Sequence, residues 1–279
     1  MKVHIIVDSS TDLLPEVKAR TTVVPLTINF GDEEYIDGVT ITHQQFYEKL
    51  VETDVLPRTS QVNPLTFAAE FEKITAAGDS AVVIALSSSF SGTYQSAMIA
   101  AADYENIYVV DSRTVAIGGG ILVELALDMV DHGFDAITIA KTLNEEKKKI
   151  RIVALVDTLE YLKKGGRISK TVAFAGGILN IKPVLSVVDG EIAMLGKARG
   201  SKQGNNLLVS EIEKAGGVDF SKPLLLGYAG LTDILLQKYM MDSAALWENS
   251  VHELRTTIIG SAIGTHVGPG AIAVAFFTK

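Results

Sequence analysis

The chain has 279 residues, 47% hydrophobic and 21% charged, the balance of a globular protein long enough for two domains. A formal net charge of −8 argues against the basic face that a nucleic-acid binder needs. The absence of cysteine excludes disulfides, thiolate metal sites and a cysteine nucleophile. In chain order, VHIIVD (Val3 to Asp8) reads as a buried strand that ends at an acid and two serines. VVPLTINF (Val23 to Phe30) reads as a second strand, with GDEEYIDG as its turn and a polar excursion. Thr42 and Gln45 form a capping box for a helix through Leu50, and Asn63-Pro64 is an N-cap followed by proline at the first helical position. Between those helices, RTSQV reads as a polar loop.

AVVIAL is a third buried strand, followed by the hydroxyl-rich loop Ser87 to Ser91 and a helix. IYVVD (Ile107 to Asp111) is a fourth, followed by SRTVAIGGG and a helix. Strand, loop and helix at this spacing indicate parallel βαβ units, whose ligands sit outside the carboxyl ends of the strands. Asp8 to Ser10, Ser87 to Ser91, and Asp111 with Ser112 should therefore converge on one rim. The longest apolar stretch, Ile117 to Val130, carries Glu124, Asp128 and three glycines, and reads as a buried helix rather than a membrane span. The opening MKVHIIVDSS has too short an apolar run for a signal peptide, so the expected location is cytoplasmic, with no stable membrane insertion. Lys147, Lys148 and Lys149 beside Glu145 and Glu146 read as a solvated helix face.

After about Ile150 the pattern changes. RIVALVD is a strand, TLEYLKKGG a short helix, and KPVLSVVDGEIAMLG two apolar runs around Asp189-Gly190, a hairpin signal. KPLLLGYAG, HELRTTIIG and GAIAVAFF supply further strands, with helices near Gly204 to Ala215 and Thr232 to Trp247. The expected fold is α/β with two domains. Residues 1-150 form a parallel-sheet α/β domain carrying the hydroxyl loops, and residues 151-279 an α+β domain with a largely antiparallel sheet.

The hydroxyl loop admits three readings: a serine nucleophile, neutral donors to a ligand's anion, or helix capping. There is no G-x-S-x-G elbow, H-E-x-x-H, P-loop or G-x-G-x-x-G, and Gly118-Gly119-Gly120 reads as tight helix packing ahead of a phosphate cradle. His4, His43, His132, His252 and His266 show no ligand spacing, so no metal is expected. His266, in GTHVGPGA, stands in a Gly-Pro-Gly turn with little packing to do, which favours a functional role. Arg167, after two glycines and opening a helix, is an anion reader or a solvated surface residue. Ser91, His266 and Asp8 can be assembled on paper into a nucleophile, base and orienting acid.

VDSSTDL, RTSQ, LSSSFSGTYQSA, VVDS, LKKGGRIS, IKPVL and THVGPGA, in this order from Val3 to Phe277, resemble the DegV family. These are bacterial lipid-binding proteins that include the FakB-type fatty-acid-binding subunit of fatty acid kinase. The resemblance implies a carrier rather than a free-standing enzyme, with no cofactor. A long-chain fatty acid would lie in a tunnel between the domains, and a separate ATP-dependent kinase subunit would convert it to an acyl-phosphate for phospholipid synthesis. By the same resemblance, Thr59 and Ser91 hold the carboxylate, with His266 and Arg167 near the head group. Ser60, Ser87, Ser88, Gly92 and Thr93 support the loop, and Arg199 falls where a basic residue would meet the kinase. This chain departs from the family where Val62 and Asn63 precede Pro64, where Ser89 and Phe90 replace a glycine and an aliphatic residue, and where Gly200 follows Arg199.

Neutral hydroxyl donors suit a carboxylate that must stay nucleophilic, and an imidazole titrating near neutrality would help to compensate its charge. Burying a long acyl chain at ~0.8 kcal/mol per CH₂ offers on the order of 10 kcal/mol before ordering costs. Two alternatives remain beside the carrier: an acyl-hydrolase using Ser91, and a lipid sensor or storage protein without a kinase partner.

Overall fold

The computed structural model describes residues 1–168, 181–247 and 253–279. Its elements begin with β1 (Val3–Asp8), α1 (Pro15–Lys18), β2 (Thr22–Val24), β3 (Thr27–Phe30), β4 (Glu33–Ile36), α2 (His43–Glu52) and β5 (Arg58–Ser60). They continue with α3 (Pro64–Ala76), β6 (Ser80–Ala85), α4 (Thr93–Ala101), β7 (Ile107–Asp111), α5 (Ala116–Asp131) and α6 (Ala136–Glu146). After a short 3₁₀ turn come β8 (Ile150–Leu155), α7 (Glu160–Lys164), β9 (Ile181–Val188), β10 (Glu191–Arg199) and α8 (Gly200–Lys214). The chain closes with β11 (Leu225–Tyr228), α9 (Ile234–Asp242), α10 (Ala244–Trp247), β12 (Thr256–Ile258), α11 (Ser261–Val267) and β13 (Ile272–Phe277).

β2-β1-β6-β7 form a sheet in which every neighbour is parallel. β10-β9-β8-β13-β11-β12 form a second sheet, antiparallel except for β11 beside β12. The two-residue side-chain period assigns the faces. In β1, Ile5 and Val7 join the core between the sheets, while Ile6 turns to the outer core under α3 and α4. In β13, Ala273, Ala275 and Phe277 face the inner core, while Val274 and Phe276 face the core under α8 and α9. α5 fills the layer between the sheets and touches β1 and β6 on one side and β8, β11 and β13 on the other. Its glycines make that approach possible: a Cβ on Gly118 would stand 2.7 Å from Ile152 Cδ1, and one on Gly120 2.4 Å from the carbonyl oxygen of Asp12. Close packing, as expected from the sequence, is what this glycine run does.

The caps agree with the sequence. Gln45 N–H donates to Thr42 Oγ1 (3.2 Å), Thr42 N–H donates to Gln45 Oε1 (2.9 Å), and Thr66 N–H donates to Asn63 Oδ1 (3.0 Å). Four expectations fail. The Val23 to Phe30 strand divides at Pro25, and β3 leaves the parallel sheet to pair with β4 and β5 in a small antiparallel sheet. GDEEYIDG is therefore half strand, joined to β3 through Gly31-Asp32 with Gly31 at φ +60°, and RTSQV is half strand as well. The segment before GPG is the helix α11, not a loop, and ends at Gly268 with φ +70°. The helix expected to open at Arg167 and the histidine His252 lie at or within stretches outside the described residues. Among the described residues, no helix is long and apolar enough to cross a membrane, and no group of three or more His, Asp or Glu could hold a metal ion.

Candidate functional site

The space between the sheets contains a cavity with an empty volume of ≈ 960 Å³. Its walls are mostly apolar. The inner-facing Ile152, Ala154 and Val156 run along one side, Leu185 and Val187 of β9 lie beside them, and Ile117 of α5 faces them. The register gives the cavity an axis. Val187 pairs with Ile152 and Ala273 with Ala154, so the Ile152 end lies by the β9–β10 turn and the Val156 end by α7 and α11. Val156 to Ile152 covers roughly 13 Å at ~3.3 Å per residue.

Polar side chains gather at the Val156 end. Thr59 sits in β5, paired with Ile28; strand alternation turns it into the cavity and leaves Ser60 exposed. Thr59 Oγ1 lies 2.9 Å from Nε2 of His266, on the last turn of α11. The hydroxyl loop is stitched to the segment that follows this strand, because Val62 N–H donates to Thr93 Oγ1 (3.3 Å), which shares a hydrogen bond with Ser91 Oγ (2.9 Å). Gly92 lies against the Gln61 amide: a Cβ there would meet Gln61 Oε1 at 2.1 Å and would have to displace that side chain. Arg167 closes the group, donating from Nε to the Phe90 carbonyl (3.1 Å) and from Nη1 to the Gly165 carbonyl (2.6 Å). Thr59, Ser91, Arg167 and His266, which are 207 residues apart at the extremes of Thr59 and His266, thus line one cavity.

The remaining candidates lie around that group. Ser87 Oγ donates to the Gly190 carbonyl (3.1 Å) and ties the loop to the β9–β10 turn, while Ser88 Oγ donates to Asp111 Oδ2 (2.6 Å). Thr93 is buried behind Ser91, and Gly92 is pressed on Gln61, so both act through the loop's shape. Arg199 ends β10 opposite Ile181, its N–H donating to Gln203 Oε1 (2.6 Å), and does not line the cavity. Ser10, Phe90 and Ser186 line it without having been singled out as ligand contacts. Ser10 was legible as a strand-end hydroxyl; Ser186 carried no such signal, since it pairs with Val153 and alternates with the inward-facing Leu185 and Val187.

His266 departs from its sequence reading in two ways. It is a helical residue packed beside Gly165, not a loop tip: a Cβ on Gly165 would lie 2.3 Å from its Nδ1. Burial, and secondarily the charge of Arg167, lower its pKa from 6.5 to about 4, so the imidazole is neutral at neutral pH. Among the described residues, its buried Nδ1 has no hydrogen-bond partner. With the proton on Nε2, His266 donates to Thr59 and leaves the threonine O–H to point at a ligand acceptor. Two of the five Arg167 N–H donors are committed to backbone carbonyls, so the guanidinium is fixed as a positive charge at the wall.

The nucleophile, base and acid chain is not assembled. Ser91 bonds Thr93 and His266 bonds Thr59, while Asp8 accepts from Ser10 N–H (3.1 Å), Ser10 O–H (2.5 Å) and Leu86 N–H (2.8 Å). Asp8 is a buckle between β1 and the chain leaving β6, not an orienting acid for His266. What the arrangement offers is neutral O–H and N–H donors and one fixed cation at the end of an apolar cavity.

The DegV family model, described as an uncharacterised protein family, matches residues 2–279. A DegV domain-containing protein of Caldanaerobacter subterraneus subsp. tengcongensis is 37% identical over 285 residues, covering 100% of this chain and 99% of that protein. Among solved structures, a DegV family protein from Thermus thermophilus described by its fatty acid binding superposes with TM-score 0.89 at 27% identity, over 100% of both chains. A stearic acid-binding protein from Eubacterium ventriosum gives TM-score 0.89 at 28% identity, over 100% of this chain and 99% of that one. DegV of Bacillus subtilis, described as a fatty acid binding protein, gives 0.84 at 28% identity over 100% of both.

Proposed function

The chain belongs to the DegV family, and on that premise we propose that it binds a long-chain fatty acid in the cavity between its sheets. One observation carries the reading: four polar side chains from distant segments meet at one end of a cavity that is otherwise apolar. In this arrangement Thr59 and Ser91 donate to the carboxylate, His266 orients Thr59, and Arg167 compensates the charge. The acyl chain then runs along β8 toward Val187, and its burial supplies the affinity. The fatty-acid binding described for the Thermus, Eubacterium and Bacillus proteins supports the ligand class.

The proposal extends to delivery. The bound carboxylate is presented to a separate ATP-dependent kinase subunit that forms the acyl-phosphate, with Arg199 on the docking face; the family resemblance of the motifs supports this step. Arg167 favours it too, since a guanidinium tied to two carbonyls holds the carboxylate less tightly than a bidentate clamp.

Denaturing extraction and mass spectrometry of the purified protein tests the ligand class, with fatty acid near one per chain as the expected result. Ser91→Ala and Thr59→Val should each weaken oleate or palmitate binding by about 1.5–3 kcal/mol, the loss of a hydrogen bond to a charged group. A protein that carries no fatty acid and binds none when it is added refutes the reading. Acyl-phosphate formation with a DegV-partner kinase and ATP separates the carrier from a storage protein.

A further inference from the structure

A second cleft, with an empty volume of ≈ 990 Å³, opens beside the apolar cavity, and Val187 stands in the wall of both. Its character is opposite. Arg113, Lys147, Lys148 and Arg151 bring four cations to it and Asp111 and Asp189 two acids, in a chain whose net charge is −8. Asp111 is already engaged: Oδ1 accepts from Ser88 N–H (3.2 Å) and Arg113 N–H (3.0 Å), and Oδ2 from Ser88 O–H (2.6 Å). Asp189 is exposed at the β9–β10 turn.

Two of the cations, Lys147 and Arg151, are anchored on neutral acceptors. Lys147 Nζ donates to the Asp111 carbonyl (2.6 Å) and to Asn144 Oδ1 (2.7 Å), so it is half-buried and not on the solvated face that its lysine run implies. Arg151 Nη1 donates to the carbonyls of Lys148 and Ile150, each at 2.8 Å. Among the described residues, Lys148 pairs with Glu145 at 2.6 Å, whereas Arg113, Lys147 and Arg151 are in no ion pair within 4.0 Å. Burial presses the Lys147 amine toward its neutral form, Asp111 opposes this, and the charges of Arg113 and Lys148 add to the pressure. Four cations against two carboxylates leave the cleft with a net positive charge, which a compact, multiply charged oxyanion compensates.

We propose that this cleft binds a phosphoryl group, held by Arg113, Lys147 and Arg151 outside the carboxyl end of β7. In a parallel sheet that is where ligands bind, and the planar forks of two arginines match tetrahedral oxyanions. The inference is independent of the fatty-acid reading, since among the described residues only Val187 touches both spaces. The phosphoryl group can belong to a small soluble molecule or to a lipid headgroup.

The test is calorimetric titration of the whole protein with inorganic phosphate and with pyrophosphate at low ionic strength, for wild type, Arg113→Gln and Arg151→Gln. In parallel, the same proteins are co-sedimented with phosphatidic acid vesicles and with phosphatidylglycerol vesicles of equal charge. Saturable binding weakened roughly tenfold by each substitution, with melting temperature and fatty-acid content unchanged, supports a soluble phosphate ligand. Arginine-dependent preference for phosphatidic acid vesicles, without binding of free phosphate, supports a headgroup. Absence of both, or binding that neither substitution alters, overturns the proposal.

Discussion

The buried imidazole of His266 makes a prediction about pH. Its ordinary pKa of 6.5 is lowered to about 4, first by burial and then by Arg167. Because the folded-state value lies below the unfolded one, unfolding takes up a proton between them. The stabilising contribution is complete above pH 6.5 and is lost as pH falls toward about 4. At about 1.36 kcal/mol per pH unit of separation, this histidine alone should cost the unliganded protein about 3 kcal/mol over that window. Asp8, Asp12 and Asp37 have pKa values raised chiefly by burial and push the profile the other way, so the effect must be isolated by subtraction. Urea unfolding of delipidated wild type and His266→Gln at about pH 7 and about pH 4.5 provides that subtraction. Wild type should lose roughly 2–3 kcal/mol more than the variant across the interval. A bound carboxylate within hydrogen-bond reach would raise the imidazole pKa, so loading with oleate should flatten the wild-type profile. Equal pH dependence in the two proteins, or an imidazole NMR titration centred near 6.5 in the unliganded form, would refute the reasoning.

Gly165→Ala tests the packing behind the same histidine. The added Cβ would lie 2.3 Å from His266 Nδ1 and 3.0 Å from the Tyr161 carbonyl, at a φ of −73° that alanine accepts without strain. Displacement of the imidazole should cost about 1–3 kcal/mol of stability and weaken oleate binding roughly tenfold; an unchanged Kd by fluorescent fatty-acid displacement would show that the ring position does not matter. Asp8→Asn replaces an acceptor of three hydrogen bonds by a group with one acceptor and one donor end. The mismatch leaves a buried N–H unpaired and should destabilise the fold by about 1–3 kcal/mol in denaturant unfolding, and a loss of under ~0.5 kcal/mol would contradict the buckle role.

The features that local chemistry decides were legible. VHIIVD and AVVIAL are contiguous apolar runs and became the central strands of the parallel sheet, the Thr42 and Gln45 box starts α2, and Asp189-Gly190 turns the β9–β10 hairpin. The β3–β4–β5 sheet was hidden because β5 has three residues, too few for a period, although Gly31-Asp32 between alternating segments is a hairpin signal. α11 was hidden because SAIGTHV, with a glycine and three β-branched residues, has little helical preference of its own. Contacts made elsewhere hold it in place: Tyr47 O–H donates to the Ile259 carbonyl (2.8 Å), and Asp12 Oδ1 accepts from Gly260 N–H (2.7 Å). Gly268-Pro269 after it was the available stop signal.

Thr59, Ser91, Arg167 and His266 could be named from short motifs. Nothing in those motifs states that a strand of the small sheet, the loop after β6, the turn after α7 and a helix before β13 share one cavity. Likewise, KKK reads as surface until the fold lays Lys147 over the Asp111 carbonyl and gathers Arg113 and Arg151 around it. Local patterning set the composition of the core, the order of the elements, their caps and the residue types available for binding, because hydrophobic period and capping act within a few residues. Which hydroxyls meet, which imidazole loses its proton and which cations crowd together was decided by the tertiary structure. Burial and close approach change the energy of a charge or a hydrogen bond, and both exist only once distant segments have packed.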